Sequence, residues 1–361
     1  MGKSSYNLCL MRGDGIGPEI FNSALHVLDH VFRKYKIHVD YVEVPAGDSA
    51  LKQYGDALPR KSVEAFAESD ACLKGPVGET VMDLVTKLRF AFDLYANIRP
   101  AKSYPAICPP ALRPDIDVIV VRENSEGFYR AIENEVAPGI WTCTGVFTEK
   151  AARRIAEFSF RYLRAKKRGK SPGLALATKA NILRKTHGMY LKAFEDVAQS
   201  YPEVKFEHYY ADALCARLVR EPQKFDMIVS ENLLADLLSD LAGQVAGGLG
   251  MVPGTNINYE TRHAYFEPTH GCAPDIVGKD IANPIGLIRA GVLMLEYLGM
   301  IHDDPKVVEA AQSIESAIMQ LLSSSDHSIL PIELGGSGNA SKVTETLISI
   351  MNQDLAVRER E

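Results

Sequence analysis

The sequence has no run of about 18 apolar residues, so nothing in it reads as a membrane span. The stretch Met1 to Arg12 passes straight into a strand-like segment and lacks the apolar core of a secretion signal. There is no CxxC pair among Cys9, Cys72, Cys108, Cys143, Cys215 and Cys272, which excludes a zinc knuckle and a dithiol redox motif. Scattered cysteines without a secretion signal predict reduced thiols in a cytoplasmic protein. There is also no surplus of positive charge. Lys and Arg number 40 against 46 Asp and Glu, a net charge of −6, which argues against nucleic acid or an anionic membrane as the main partner. Finally there is no GxGxxG. In Gly13-Asp14-Gly15-Ile16-Gly17 the third glycine comes one residue early, so a tight strand-to-helix turn is favoured over a dinucleotide loop.

What is present is ordinary globular composition, 46% apolar and 24% charged over 361 residues, enough for about two domains. Apolar runs alternate with helical periodicity. Strands are expected at Tyr6 to Arg12, Ile37 to Val44, Ala71 to Leu73, Asp93 to Ile98, Asp117 to Val121, Gly173 to Thr178 and Phe225 to Ser230. Helices are expected after Pro18, after Leu58-Pro59, over Val81 to Arg89, over Lys185 to Gln199, from Leu233 to about Val245, and over Pro284 to Leu298 and Pro305 to Leu322. Thr148 is a candidate cap for a helix running to Arg168 and stopping at Gly169. The Pro-, Asn- and Gly-rich stretch from Gly247 to Pro284 reads as loop. The pattern is α/β with a mostly parallel sheet, and no linker separates two halves.

Some local patterns have plain explanations. His26 and His30 have metal-ligand spacing, but Val27 stands where a metalloprotease helix needs glutamate, so they read as a solvated face. The basic run Arg161 to Lys170 falls where cations complement a helix C-terminus. More telling are Arg89 on a predicted helix, Arg99, Arg122 and Lys179 at strand ends, Tyr129 seven residues beyond Arg122 and Asp212 at a helix start, with Asp236 and Asp240 four apart on one helix face. Ligands in open α/β sheets sit at such strand ends. Spacing alone leaves each of these residues open to a second reading as a surface ion pair.

The segment Phe266 to Pro284, FEPTHGCAPDIVGKDIANP, resembles the signature loop of the β-decarboxylating dehydrogenases, which include isocitrate, homoisocitrate, 3-isopropylmalate and tartrate/D-malate dehydrogenases. GDGIGPE, LRFAFDLYANIRP, VRENSEGFY, KAN and NLLADLLSD resemble further motifs of that family in family order, from about Leu8 to Thr346. The stretch Gly78 to Leu163 is most similar to the archaeal 3-isopropylmalate/3-methylmalate type.

The resemblance implies a non-Rossmann fold of two interleaved α/β domains: residues 1–98 with 250–361 on the cofactor side, and 99–249 carrying a dimer interface and a metal helix. It implies Asp212, Asp236 and Asp240 as ligands of Mg²⁺ or Mn²⁺, suited to hard oxygen donors. Arg89, Arg99 and Arg122 match substrate-carboxylate clamps, Lys179 the base that takes the hydroxyl proton, and Tyr129 the acid that protonates the enol after CO₂ departs. His270, Gly271, Ala273, Asp275, Ile276 and Asn283 match the cofactor loop. NADP-using relatives carry a cation and a tyrosine at the positions of Asp275 and Ile276, so NAD is the expected cofactor. Isocitrate users carry Ser and Asn at the positions of Asp83 and Val85, and the homoisocitrate type a basic residue at Thr86. Val85 therefore suits an apolar C3 substituent, because a buried carboxylate left unpaired is costly. The expected substrate is a small 2-hydroxy dicarboxylic acid, 3-isopropylmalate or 3-methylmalate before isocitrate or homoisocitrate. The expected assembly is a homodimer, with Lys179 and Asp212 reaching the partner's site. A non-catalytic regulatory subunit is disfavoured because the catalytic set is intact. Departures from the family pattern are Thr178 before the lysine, Cys272, Ala235, Tyr259 to His263, and Glu333.

Overall fold

A strand buried on both faces needs a helix layer on each side, and the alternation in this chain supplies both. A computed structural model describes residues 3–81, 83–104, 111–166 and 172–358. The chain runs β1 (Tyr6–Met11), α1 (Gly17–Tyr35), β2 (Val39–Glu43), α2 (Asp48–Tyr54), α3 (Arg60–Glu68), β3 (Ala71–Lys74), α4 (Asp83–Ala91), β4 (Ala96–Lys102) and β5 (Asp117–Glu123). A hairpin of β6 (Gly127–Ala137) and β7 (Ile140–Val146) follows, then α5 (Glu149–Ala165), β8 (Gly173–Thr178), α6 (Thr186–Ala198), β9 (Lys205–Tyr210), α7 (Ala211–Arg220), β10 (Met227–Ser230) and α8 (Asn232–Ala246). The rest holds β11 (Pro253–Asn258), β12 (His263–Pro268), α9 (Ile285–His302), α10 (Pro305–Leu322) and α11 (Ala340–Arg358).

Ten strands form one sheet in the order β2-β1-β3-β12-β11-β4-β5-β10-β8-β9. It is mostly parallel. The antiparallel pairings sit together in the middle, β12 with β11, β11 with β4, and β4 with β5. One continuous apolar core covers one face, under α1, α5, α6, α9 and α10. The opposite face carries two separate cores, one including residues of α3 and α4 and the other residues of α7 and α8. The two-residue period of a strand decides what points where. Ala96 and Ile98 enter the continuous core, whereas Ala101, on the side of Arg99, belongs to the α7–α8 core. Val118 and Val120 lie in that same core, and Arg122 continues their side of β5. The middle strands therefore send arginines to the face whose apolar cover is split.

Several expectations need correction. The stretch read as loop holds β11 and β12, fully inside the sheet. Arg99 does not follow a strand ending at Ile98; it lies within β4. The β6–β7 hairpin was not legible, and neither were α2, β9 and α11. The hairpin carries exposed apolar residues, with Val136 61%, Ile140 58% and Trp141 65% accessible. Helix α9, interrupted by Arg289 and Glu296, is long and apolar enough to cross a membrane by length and composition, and 72% of that window is buried as a core helix. The Thr148 cap is present, its side chain accepting from the Ala151 N–H at 3.1 Å. The expected helix end at Arg168 and Gly169, and Cys108, lie outside the described residues. Among those described, Cys9, Cys72, Cys143, Cys215 and Cys272 are free thiols.

The glycine turn after β1 has a packing role. A Cβ on Gly15 would lie 2.0 Å from the Cys272 carbonyl oxygen, and the Ile16 N–H donates to that oxygen at 2.9 Å. The motif holds the signature loop against the body by close backbone approach.

Candidate active site

The clamp arginines converge. Arg89 comes from α4, Arg99 from β4, Arg122 from β5, Tyr129 from β6, and Asp236 and Asp240 from adjacent turns of α8. Asp236 is the hub. Arg99 Nη1 lies 3.1 Å from its Oδ1, Arg122 Nη1 donates to the same oxygen, and the Tyr129 hydroxyl donates to Oδ2. Arg99 also reaches Asp240 Oδ1 at 3.3 Å and the Ser239 hydroxyl at 2.9 Å. Arg122 is 2% exposed, bonds Asn232 Oδ1 through Nε at 2.8 Å, and stacks over the Tyr129 ring at 4.5 Å.

Positive charge here exceeds what the carboxylates neutralise. Burial, then the neighbouring Arg89 and Arg99, push the Arg122 guanidinium down to about 10 despite Asp236. Burial raises Asp236, but Arg122, Arg99, the Tyr129 hydroxyl and Arg89 outweigh it and hold its carboxyl below the usual range. Burial dominates at Asp240, whose carboxyl is raised. Two guanidinium atoms, Arg99 Nε and Arg122 Nη2, are buried with no hydrogen-bond partner. Orphan donors in a cationic pocket are what an anionic ligand with several oxygens would satisfy.

Beneath Arg89 lies a polar network that motif reading missed. Arg89 Nε donates to the Tyr265 hydroxyl at 3.2 Å and Nη2 lies 3.7 Å from Glu267 Oε1. Glu267 is paired with the buried Lys74 at 2.8 Å and accepts from Asn256 Nδ2 at 2.9 Å. Asn256 Oδ1 in turn accepts from Asn97 and Asn124. A polar residue repeated inside apolar strands was the available signal. Tyr265→Phe removes the acceptor that fixes the Arg89 fork. We expect a several-fold rise in substrate KM with kcat nearly unchanged, checked by steady-state kinetics.

Val85 lies one turn before Arg89 on the same helix face and is 6% exposed, packed with Leu84, Leu88 and Tyr265. Asp83 is exposed and pairs with Lys87 at 2.9 Å. Lys179 and Asp212 stand apart from the arginine cluster. Lys179 Nζ bonds Asp212 Oδ1 at 2.8 Å, and this pair holds the Asp212 carboxyl below its ordinary value. Among the described residues no three His, Cys, Asp or Glu side chains gather as a metal cage. Asp236 Oδ1 and Asp240 Oδ1 both face Arg99 Nη1, at 3.1 and 3.3 Å, and Asp212 makes no described contact with either.

The signature loop frames a second cavity of about 650 Å³, lined by Ile16, Leu249, Gly250, His270 to Pro274, Ile276, Ile281 to Asn283 and Glu333 among others. His270, Gly271, Ala273, Ile276 and Asn283 thus line one cleft. Asp275 is exposed and is not among its walls. Ala273 adopts φ 40°, a left-handed conformation costly for a residue with a Cβ. His270 Nδ1 lies 3.0 Å from the Gly271 carbonyl, which can only accept, so Nε2 is left as an acceptor; it is buried and unpartnered. Burial keeps this imidazole below its ordinary value and hence neutral. A ligand N–H or O–H would complete it. Asn283 is more committed than its motif suggests, because Oδ1 accepts the Ile285 N–H at 3.1 Å and Nδ2 donates to Glu333 at 2.8 Å. Glu333 also accepts the Gly250 N–H at 3.1 Å, so this departure from the family pattern ties two walls of the cleft together.

A guanidinium clamp on paired aspartates leaves orphan donors that an acid with several oxygens would satisfy, and the cleft at the signature loop leaves an orphan acceptor that a ligand N–H or O–H would satisfy. The chain belongs to the isocitrate/isopropylmalate dehydrogenase family, whose model matches residues 7–348. It is 41% identical to the 3-isopropylmalate/3-methylmalate dehydrogenase of Methanocaldococcus jannaschii over 97% of this chain and 100% of that one. It is 38% identical to the 3-isopropylmalate dehydrogenase of Saccharolobus solfataricus over 96% of this chain and 100% of that one. The crystal structure of isocitrate dehydrogenase from Methylococcus capsulatus superposes with a TM-score of 0.87 at 32% identity, covering 96% of this chain and 99% of that one. The chain is a decarboxylating dehydrogenase acting on a hydroxyl group, as its family is.

Proposed function

We propose that the protein oxidises and decarboxylates a 3-substituted malate, foremost 3-isopropylmalate or 3-methylmalate, with NAD as hydride acceptor. The observation that carries this is the pairing of Arg99 and Arg122 with Asp236, with two donors left unsatisfied and Arg89 near enough to act on the same carboxylate through its charge. Val85, apolar and on the Arg89 face, supports an apolar C3 group over a third carboxylate.

In this reading Asp236 and Asp240 hold Mg²⁺ or Mn²⁺ together with Asp212 of a second copy, and the cleft around His270 holds NAD, with Asp275 at its rim accepting from ribose hydroxyls. When bound, the ion supplies a Lewis acid for the hydroxyl and its neighbouring carboxylate, and NAD takes the hydride. The arginines fix both substrate carboxylates, so the C2 hydrogen and the C3–carboxylate bond are presented in one orientation. Lys179 takes the hydroxyl proton as the C2 hydrogen leaves with its electron pair. The C3–CO₂ bond then breaks, its electrons move into the enolate, and the Tyr129 hydroxyl delivers a proton to C3. Burial holds that phenol above its ordinary value, so it stays protonated near neutrality and is an acid ready to act. The same proposal divides the chain into 1–98 with 250–361, which contributes Arg89 to the clamp, and 99–249, which contributes Arg99 and Arg122.

The test is initial rates for the purified chain with NAD and Mn²⁺ on 3-isopropylmalate, 3-methylmalate, isocitrate, homoisocitrate and D-malate. The expected ranking by kcat/KM puts an alkyl-substituted malate first. Absence of NADH from every acid would sink the proposal, and isocitrate leading would overturn the reading of Val85.

A further inference from the structure

Lys179 is the first residue beyond β8, where the sheet no longer supplies partners for the main chain. Its N–H donates to His187 Nδ1 at 2.9 Å. His187 sits in the first turn of α6, is 3% exposed, and packs its ring 5.6 Å from that of Phe147. On the other side of the lysine, the Ala180 N–H donates to Thr178 Oγ1 at 3.2 Å, and that hydroxyl lies 2.7 Å from His208 Nε2 on the neighbouring strand β9. The Lys179 carbonyl accepts from the Ile182 and Leu183 N–H groups at 3.0 and 2.8 Å, and the His187 N–H returns to Leu183 O at 3.0 Å. The N–H and carbonyl of Lys179 and the N–H of Ala180 are thus committed, one of them directly to an imidazole and another through Thr178 to a second imidazole.

We propose that His187 and His208 are positioning residues that fix the main chain of Lys179 so that its amine is delivered at one place and angle. The proposal rests on the reading of Lys179 as the base. An Nδ1 that accepts requires its proton on Nε2, so His187 serves as one defined neutral tautomer. Burial lowers both imidazoles, against a weaker opposing pull from Glu195 at His208, which agrees with neutral rings. A general base must stand within hydrogen-bond reach of the proton it takes, and small misplacements of a reacting group are costly in rate. Neither histidine touches the arginine clamp or the cofactor cleft through any described hydrogen bond, so their loss acts on kcat and spares binding. Thr178, one of the departures from the family pattern, gains a purpose: its hydroxyl couples the Ala180 amide to an imidazole supplied from β9.

The experiment compares His187→Leu, His187→Asn and Thr178→Val in the full chain, with NAD, Mn²⁺ and the acid the wild type uses best, at a temperature where melting curves show all four proteins folded. Leucine fills the ring space without an acceptor, and asparagine places an acceptor oxygen near the former Nδ1. Expected is a loss of kcat of about tenfold for His187→Leu, the scale of one buried hydrogen bond. KM for acid and NAD should stay within about twofold, kcat should largely recover in His187→Asn, and Thr178→Val should show a similar kcat-only loss. A His187→Leu enzyme with wild-type kcat, or a His187→Asn enzyme no better than it, would overturn the proposal while leaving the function intact. A wild type inert towards every acid would instead remove the function and this proposal with it.

Discussion

Lys179→Met is expected to lower kcat by roughly 10²–10⁴-fold, the range for a lost general base, while NAD binding measured by titration is unchanged. The more revealing result comes from mixing. Lys179 bonds Asp212 and makes no described contact with the arginine cluster, and apolar Ile182 and Leu183 beside it are 69% and 40% exposed. If two copies exchange Lys179 and Asp212, a site is complete only when one chain brings the clamp and the other brings the lysine. Lys179→Met and Asp236→Asn would each be inactive alone. Unfolded together and refolded, they should recover about a quarter of wild-type activity: about half the dimers would be mixed, and each would hold one intact site. No recovery, in a preparation shown to contain mixed dimers, would place all reacting groups in one chain.

Asp236→Asn is the second large effect, and it separates stability from binding. The carboxylate faces Arg99, Arg122 and the Tyr129 hydroxyl, and Arg122 is almost fully buried. Removing one member of a buried charge cluster leaves the others uncompensated, at a cost of roughly 3 kcal/mol. That should appear as a lower urea midpoint at unchanged slope. Turnover should fall at least about 10²-fold, because the side chain is also a proposed ligand of the ion. Yet a simple dianion such as malate, titrated without metal, should bind more tightly than to wild type, since the arginines have lost their internal counterion. Weaker metal-free binding would mean that Asp236 orients the arginines more than it neutralises them.

The parts of this fold legible from sequence were those with one dominant period. Val118 to Val121 and Leu174 to Ala177 are unbroken apolar runs within their strands, and α1 and α10 present a clear stripe, so they stood out. Strand β11 did not, because Pro253, Gly254 and two asparagines resemble a loop; the asparagines are buried in hydrogen bonds that no local pattern encodes. The hairpin was missed because polar and apolar residues on an exposed ribbon lack a single-sided pattern. The clamp arginines and α8 aspartates were nameable from motifs, but the hub role of Asp236 is a long-range fact that needed coordinates. Tyr265 and His187 were invisible for a related reason. Their partners, Arg89 and Lys179, lie on other elements, and hydroxyl and imidazole groups carry no periodic signal.

The β6–β7 ribbon has an optical consequence. Trp141 is the only tryptophan among 361 residues, and it stands 65% accessible on that ribbon. Red-edge excitation of this protein therefore interrogates a single address. Its emission colour should ignore what happens in the core and answer only to whether water or another surface lies against the ribbon, which makes the unlabelled molecule its own gauge of self-association.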